Sequence, residues 1–397
     1  MAIERLKDKL ITCMYCSECI GRGPTLPFID GDIFTPEWIC PEVDALKFTG
    51  YSGRGQQHIA RDIFYGNLKI DEEVVKTFNS CTNCRICDRI CSVPLHETVM
   101  VMREEIFEKG YDYLPEGSKK INNNVYQNHN AFGAPNNKRG AWASEFNLPD
   151  KGEDLYFVGC YTSWRHPSIA KASVKLLRKA GMDIAYMGED EWCCGLPCWA
   201  HGNRRVKEEM IKHNVDEITK RGAKRVIFNC TYCYRTFKMV YPEIVGSLPF
   251  DTIHISSLLK DMIDEKRISF ERELREEVTY HDPCIVIRGY LGEGKDMYDE
   301  PRDIINSIPG IVFKEMSRSK EWAYCCGGGA TVTASSYPEV RDYIGTNRLN
   351  EAKDTAKNIY TICPHCIENL SLVARNKNID IKIKDLTEVV AQAVGII

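Results

Sequence analysis

Nineteen cysteines stand in this chain of 397 residues, and their spacing names the chemistry before anything else does. Cys81, Cys84, Cys87 and Cys91 follow one another with gaps of two, two and three residues. Thiolates at that spacing wrap a loop around a cubane iron–sulfur cluster, and the fourth usually reaches a neighbouring cluster. Four cysteines can also hold tetrahedral zinc, but two successive short gaps fit zinc poorly. Cys13, Cys16 and Cys19 begin a second copy. Its fourth cysteine should stand at position 23, where Gly23 and Pro24 are found instead. The nearest replacement is Cys40, brought in on a loop through Pro24 to Trp38. The expected arrangement is crossed: Cys13, Cys16, Cys19 and Cys91 hold one cubane, and Cys81, Cys84, Cys87 and Cys40 the other. The alternative is that Cys40 is a bystander and the second cluster has three cysteines or a non-cysteine ligand.

Ten more cysteines form two matching arrays. The first is Cys160, then Cys193 and Cys194 followed by Gly195, then Cys230 and Cys233. The second is Cys284, Cys325 and Cys326 followed by Gly327, then Cys363 and Cys366. Five thiols per unit exceed what one zinc ion takes. Vicinal cysteines make a poor disulfide, and adjacent thiolates can grip two atoms of a larger inorganic cluster. Cys198 belongs to no array and reads as a packed thiol. His166, His201, His281 and His365 stand near array cysteines, as candidate proton donors or as hydrogen-bond donors to sulfur. Arg165, Arg204 and Arg288 are candidates for an anionic substrate tail, with a surface salt bridge as the default for each. Trp192 and Trp322 read as shields against water. The Gly327–Gly329 run lets backbone come close, but lacks the Lys-Ser/Thr of a phosphate loop.

The elements that must position these groups follow from periodicity. Leu155-Tyr-Phe-Val leads into Cys160, and Val226-Ile-Phe leads into Cys230. Ile184-Ala-Tyr-Met is a further strand-like run. A helix is predicted from Pro167 to Gly181, and another from Arg204 to Arg221, stopped by Gly222. Short strands alternating with amphipathic helices predict an α/β layer structure. The unit recurs: Asp190-Glu-Trp-Cys-Cys-Gly is echoed by Glu321-Trp-Ala-Tyr-Cys-Cys-Gly. The cysteines should therefore sit at the C-terminal ends of strands, where open α/β folds place ligands. The boundaries expected are residues 1–113 for the two-cluster domain, 114–150 for a polar connecting segment over the surface, 151–270 for the first cysteine-rich unit and 271–397 for the second.

Composition narrows the function classes. The net charge of −4 argues against a nucleic-acid binder. The N-terminal sequence has no apolar core of a secretory signal, and no apolar run approaches the ~18 residues that cross a bilayer. The run 389–397 reads as the buried side of a last helix. A cytoplasmic protein is expected, with membrane association only through a partner. Clustered cysteines in such a chain hold metal more often than they form disulfides.

The whole pattern resembles a known family. Gly188-Glu-Asp-Glu-Trp-Cys-Cys-Gly, Thr279-Tyr-His-Asp-Pro-Cys and Cys325-Cys-Gly-Gly-Gly look like the CCG, or cysteine-rich, domain of heterodisulfide reductases. Behind a two-cluster ferredoxin domain they look like the D-type catalytic subunit. The resemblance implies an α-helical ferredoxin-like domain followed by two pseudo-twofold related α/β CCG units. It also implies two cubane and two noncubane [4Fe-4S] clusters, with a disulfide substrate in a crevice between the repeats. The residues then catalytic are Cys160, Cys193, Cys194, Cys284, Cys325, Cys326, His281 and His365. Position 23 departs from the pattern, as does Ile285 where the family often has His. Electrons would come from a redox partner: a flavoprotein, a cytochrome b or a larger oxidoreductase complex. A relay subunit of glycolate or lactate dehydrogenase type, of a benzoyl-CoA reductase complex or of a sulfite-reducing membrane complex is the second reading. A zinc scaffold is the third.

Overall fold

The computed structural model describes residues 2–14, 16–20, 39–288 and 297–397. The stretch 21–38, which contains Gly23, Pro24 and the loop expected to carry in Cys40, lies outside the described residues. What is described is mostly helical, with two small parallel sheets.

The central strands are buried on both faces, whereas the edge strands are partly exposed. In the first sheet, β1 (Asp154–Phe157) pairs with β2 (Arg225–Phe228), which pairs with β3 (Asp251–His254), all parallel. Leu155, Tyr156, Phe157, Val226, Ile227 and Phe228 are fully buried. In the second sheet, β4 (Glu276–Tyr280), β5 (Ile311–Phe313), β6 (Asn358–Thr361) and β7 (Lys382–Asp385) lie in the order β5-β4-β6-β7. The run at Ile184, expected as a strand, makes only a single parallel bridge, Leu155 to Ala185. Because Leu155 also pairs with Val226, that bridge lies on the other edge of β1, where β5 lies against β4. The two sheets thus share one strand order, as a duplicated unit requires.

The helices end where their sequences say. Pro167–Lys179 begins on proline, ends in Arg178 and Lys179, and is followed by Gly181 at φ +76°. Arg204–Lys220 is capped by the Asn203 side chain, which accepts from the Val206 amide, and Gly222 follows at φ +72°. The last helix, Leu386–Ala393, buries Val389, Val390 and Ala391 against the Pro167 helix and its neighbours. No described helix is long and apolar enough to cross a membrane.

Ahead of the sheets, helices Gly53–Phe64, Glu72–Asn79 and Leu95–Lys109 close over Ile3, Leu6, Phe78, Met102 and Ile106. Residues 114–150, expected to run over the surface, do otherwise. They carry the helix Glu116–Asn128 and sink Trp142 and Phe146 into the core of the first unit. Those two rings outweigh the polar residues around them, since each aromatic side chain buries a large apolar area.

Candidate metal centre

The loop from Cys81 to Cys91 leaves the helix Glu72–Asn79 and turns through Asn83 and Arg85, both at positive φ. Non-glycine residues adopt that region only when the surroundings demand it. Here the turns fold thiols inward, and the Asn83 amide donates to the Cys81 sulfur at 3.3 Å. Cys40 begins the helix Pro41–Leu46. Burial pushes its thiol well up, followed by the nearby Glu42 carboxylate, with Cys81 and Cys84 adding to the effect. Cys87 in turn lies beside Cys84, Cys81 and Cys40. Cys91 faces away, toward Cys13 and Cys16, and Cys19 joins that group. The eight N-terminal cysteines thus lie in two groups, Cys40 near Cys81, Cys84 and Cys87, and Cys91 near Cys13, Cys16 and Cys19. Glu42, unremarked in the sequence, accepts from the Thr82 amide and stands 3.3 Å from the Cys40 sulfur. Burial raises its carboxyl above the usual range.

In the sheet domains four array cysteines follow strands, Cys233 and Cys366 lie in the helices that come next, and Cys193–Cys194 and Cys325–Cys326 follow short helical turns. Cys160 follows β1, Cys230 follows β2, Cys284 follows β4 and Cys363 follows β6. Gly159 makes the first delivery possible. It sits at φ +77°, and a Cβ there would stand 3.0 Å from the Cys233 sulfur. Gly327, at φ +90°, turns its amide onto the Cys325 sulfur at 3.3 Å.

The ten thiols form one unbroken series of neighbouring sulfurs. Cys160 meets Cys193, and Cys193 meets Cys194. Cys194 meets Cys233, and Cys233 meets Cys230. Cys230 crosses to Cys363 of the second unit. From Cys363 the series runs through Cys366, Cys326 and Cys325 to Cys284. All ten side chains are buried. The second array also abuts the N-terminal domain, since Cys84 lies against both Cys325 and Cys284.

Charged groups behind the thiols come from distant parts of the chain. Arg139 is 1% exposed, and both of its terminal nitrogens stand 3.7 Å from the Cys160 sulfur. Glu191 accepts from the Arg139 guanidinium at 2.6 and 3.0 Å and from the Val158 and Gly159 amides at 2.8 Å each. In the second unit His281 lies within 4.8 Å of the Cys326 and Cys366 sulfurs. Its Nδ1 accepts from Arg348 Nε at 3.0 Å. A guanidinium only donates, so the ring proton is on Nε2. Burial, then the Arg348 charge, lowers this imidazole to about 3. Arg288 is fully buried and donates to the carbonyls of Cys84, Glu321 and Ala323 at 2.9 Å each. It therefore stands among cysteines rather than at a substrate entrance.

A cavity of about 210 Å³ opens at the seam between the two units. Its walls include Tyr161, Arg165, Gly328, Arg341, His365 and Glu368. His365 rests against Tyr161 at 3.7 Å and Tyr232 at 4.9 Å between ring centres. Tyr232 comes from the first unit yet faces Cys284, Cys326 and Cys366 of the second. Arg165 lies over the Phe132 ring at 4.8 Å, and His166 pairs with Glu368 at 3.2 Å. The structure thus brings His365, His166 and Arg165 to this cavity, whereas His281 is not among its walls.

The remaining candidates stand elsewhere. Arg204 pairs with Glu208 at 2.8 Å on an exposed helix face. His201 is buried between the hydroxyls of Ser118 and Thr331. Cys198 is fully buried beside Cys160 and Cys193. Trp192 stacks between His129 and His213 at 3.5 Å from each, and Trp322 is half-buried.

A family model described as the CCG cysteine-rich domain matches residues 155–238 and again 278–371. The chain is 31% identical to the D subunit of the dihydromethanophenazine:CoB–CoM heterodisulfide reductase of Methanosarcina barkeri, over 98% of this chain and 95% of that one. It is 27% identical to the EtfAB:quinone oxidoreductase of Syntrophomonas wolfei, over 80% of this chain and 46% of that protein. It is 29% identical to the B subunit of the fumarate reductase (CoM/CoB) of Methanothermobacter marburgensis, over 60% of this chain and 46% of that protein.

Proposed function

Since the chain belongs to the family of D-type heterodisulfide reductase subunits, with its cysteine-rich domain present twice, we propose that it is an iron–sulfur oxidoreductase subunit that delivers electrons to a disulfide between its two repeats. The observation that carries this reading is the series of ten buried thiols, which joins the repeats at Cys230 and Cys363. Five soft sulfur donors per unit suit iron–sulfur clusters better than a single zinc ion. Neighbouring thiols, and then burial, push most of these thiols up, so they would be protonated and buried without metal, and binding releases their protons.

The residues that would hold the groups are the four sets already described. Cys13, Cys16, Cys19 and Cys91 would take one cubane [4Fe-4S] cluster, and Cys40, Cys81, Cys84 and Cys87 the other. Each five-cysteine array would take one noncubane [4Fe-4S] cluster. When bound, these groups supply one-electron steps. The thiol contacts order the arrays. Electrons from a partner protein would enter at the first cubane set, where Cys16 is exposed and Met14 is 87% exposed. They would pass to the second cubane set, cross at Cys84 to the array of Cys284 and Cys325, and cross again at Cys363 to the array of Cys160.

The cavity at the seam is the candidate site for that disulfide, a reading supported by Tyr161, next in sequence to Cys160, on one wall and Gly328, close to the Cys326 sulfur, on another. Cleaving a disulfide consumes two electrons and two protons and yields two thiols. No array cysteine is itself among the cavity's described walls, so each array would have to receive one sulfur from behind residues such as Tyr161 and Gly328. Tyr161 and His365 line the path by which protons would come from solvent. Replacing Cys193 or Cys325 by Ala should abolish disulfide reduction, while reduced dyes still fill the cubanes. Disulfide turnover retained in both variants would contradict the reading.

A relay role is the second reading. It is favoured by likeness to an EtfAB:quinone oxidoreductase over 80% of the chain. A purified holoprotein that is reduced by dyes but oxidised by none of a broad panel of disulfides would establish the relay instead.

A further inference from the structure

Among the described residues Arg103, Arg139 and Arg288 are buried beside these cysteines, and they stand there differently: Arg103 donates to the Cys81 carbonyl, while Arg139 and Arg288 stand by the arrays. Among the described residues Arg139 touches one sulfur only, that of Cys160, and carries Glu191 behind it as a full counter-charge. Both terminal nitrogens of the guanidinium stand 3.7 Å from that sulfur, so its positive charge faces the first array. Arg288 has another geometry. Its side chain is bonded to the carbonyl of Cys84, while its backbone amide bonds to the carbonyl of Cys284. It therefore ties a cysteine of the second cubane set to a cysteine of the second array. Among the described residues its side chain meets three carbonyls and no carboxylate, and Nη2 is buried with no hydrogen-bond partner. Its positive charge also opposes the upward push of burial on both the Cys84 and the Cys284 thiols.

Reduction adds negative charge to whatever these thiolates hold. A fixed positive charge nearby stabilises the reduced form, and it does so most where water is excluded. A guanidinium that bridges two redox groups acts on both together. We infer that Arg288 is a positioning residue shared by the second cubane set and the second cysteine-rich array, raising the reduction potential of both, whereas Arg139 acts on the first array alone. The pair of residues makes the two arrays unequal despite their duplicated folds. The inference rests on the iron–sulfur reading above.

The test is an EPR-monitored redox titration of the anaerobically purified holoprotein. Signals are assigned by their loss in Cys84→Ala, Cys284→Ala and Cys160→Ala. Arg288→Gln keeps an amide donor and removes the charge. It should lower two midpoints, those of the Cys84 and Cys284 groups. A tenfold change in each one-electron equilibrium corresponds to about 59 mV. Arg288→Lys, which keeps the charge, should leave both within a fraction of that shift. Arg139→Gln should lower the Cys160 group alone. Unchanged midpoints in Arg288→Gln, or a shift in only one group, would overturn the inference. Loss of clusters in Arg288→Gln but not in Arg288→Lys would support a role for the charge. Loss in both would mean the arginine only holds backbone, and would overturn it. A wild-type protein with no iron–sulfur signal would instead defeat the functional reading itself.

Discussion

Glu191 shows how much can depend on one buried carboxylate. It neutralises Arg139 and fixes the two amides that precede Cys160. Breaking a buried pair by removing one partner leaves an uncompensated charge, at about 3–5 kcal/mol. Glu191→Ala should lower stability by that amount in urea unfolding. Glu191→Gln, which retains an acceptor for the amides, should cost less. His201 gives a prediction in pH. Burial, then the nearby Arg103 charge, lowers it from 6.5 to about 3. The unfolded chain therefore takes up a proton that the folded chain refuses, so stability is lost as pH falls below about 6.5. One pH unit below that value the loss is about 1.4 kcal/mol. Urea midpoints at pH 7.5 and 5.5 should show wild type losing about that much more than His201→Gln. Equal losses in the two proteins would exclude His201 as the cause.

At the scale of elements, the turns after the strands set where the thiols go. Gly159→Ala would force a Cβ into a left-handed residue 3.0 Å from the Cys233 sulfur. It should destabilise the protein by about 1–3 kcal/mol and disturb the first array before the second. EPR of that variant should show the Cys284 group intact. Cys40 makes a parallel case at the start of the helix Pro41–Leu46. Cys40→Ala should convert or lose the cubane of Cys81, Cys84 and Cys87 and spare both cysteine-rich arrays. An unchanged cubane spectrum would exclude Cys40 as a ligand.

The same elements explain what the sequence could and could not tell. Strands β1 and β2 were legible because buried parallel strands are continuous apolar runs, and β4 and β6 because the unit recurs ahead of Cys284 and Cys363. The cysteine groups were legible because ligands on one loop have fixed spacings. Arg139 and Glu191 were not, because they meet across 52 residues of sequence through topology alone. Arg348 reaches His281 across 67 residues, with no local pattern to announce it. Segment 114–150 misled for a related reason. Its many Asn, Gly and Lys residues mask the two rings, Trp142 and Phe146, that carry it into the core. Arg288 was noticed but given an exposed, substrate-binding task, since a single sequence does not show that its partners are carbonyls.

Taken as a whole, the molecule is a line of four thiol groups laid across domain boundaries, and the links between them are named contacts. Cys91 and Cys87 belong to different groups yet share one turn, with the Cys91 amide donating to the Cys87 carbonyl at 3.0 Å. Cys84 lies against Cys284, and Cys230 against Cys363. Electron transfer along that line requires an iron–sulfur cluster in each group. Iron, acid-labile sulfide and zinc measured per chain on anaerobically purified protein test that most directly. Four [4Fe-4S] clusters predict about 16 iron and a matching amount of sulfide, with no stoichiometric zinc. Iron and sulfide near half that amount, with stoichiometric zinc, would mean that the two five-cysteine arrays are zinc sites and that no electron crosses between the repeats.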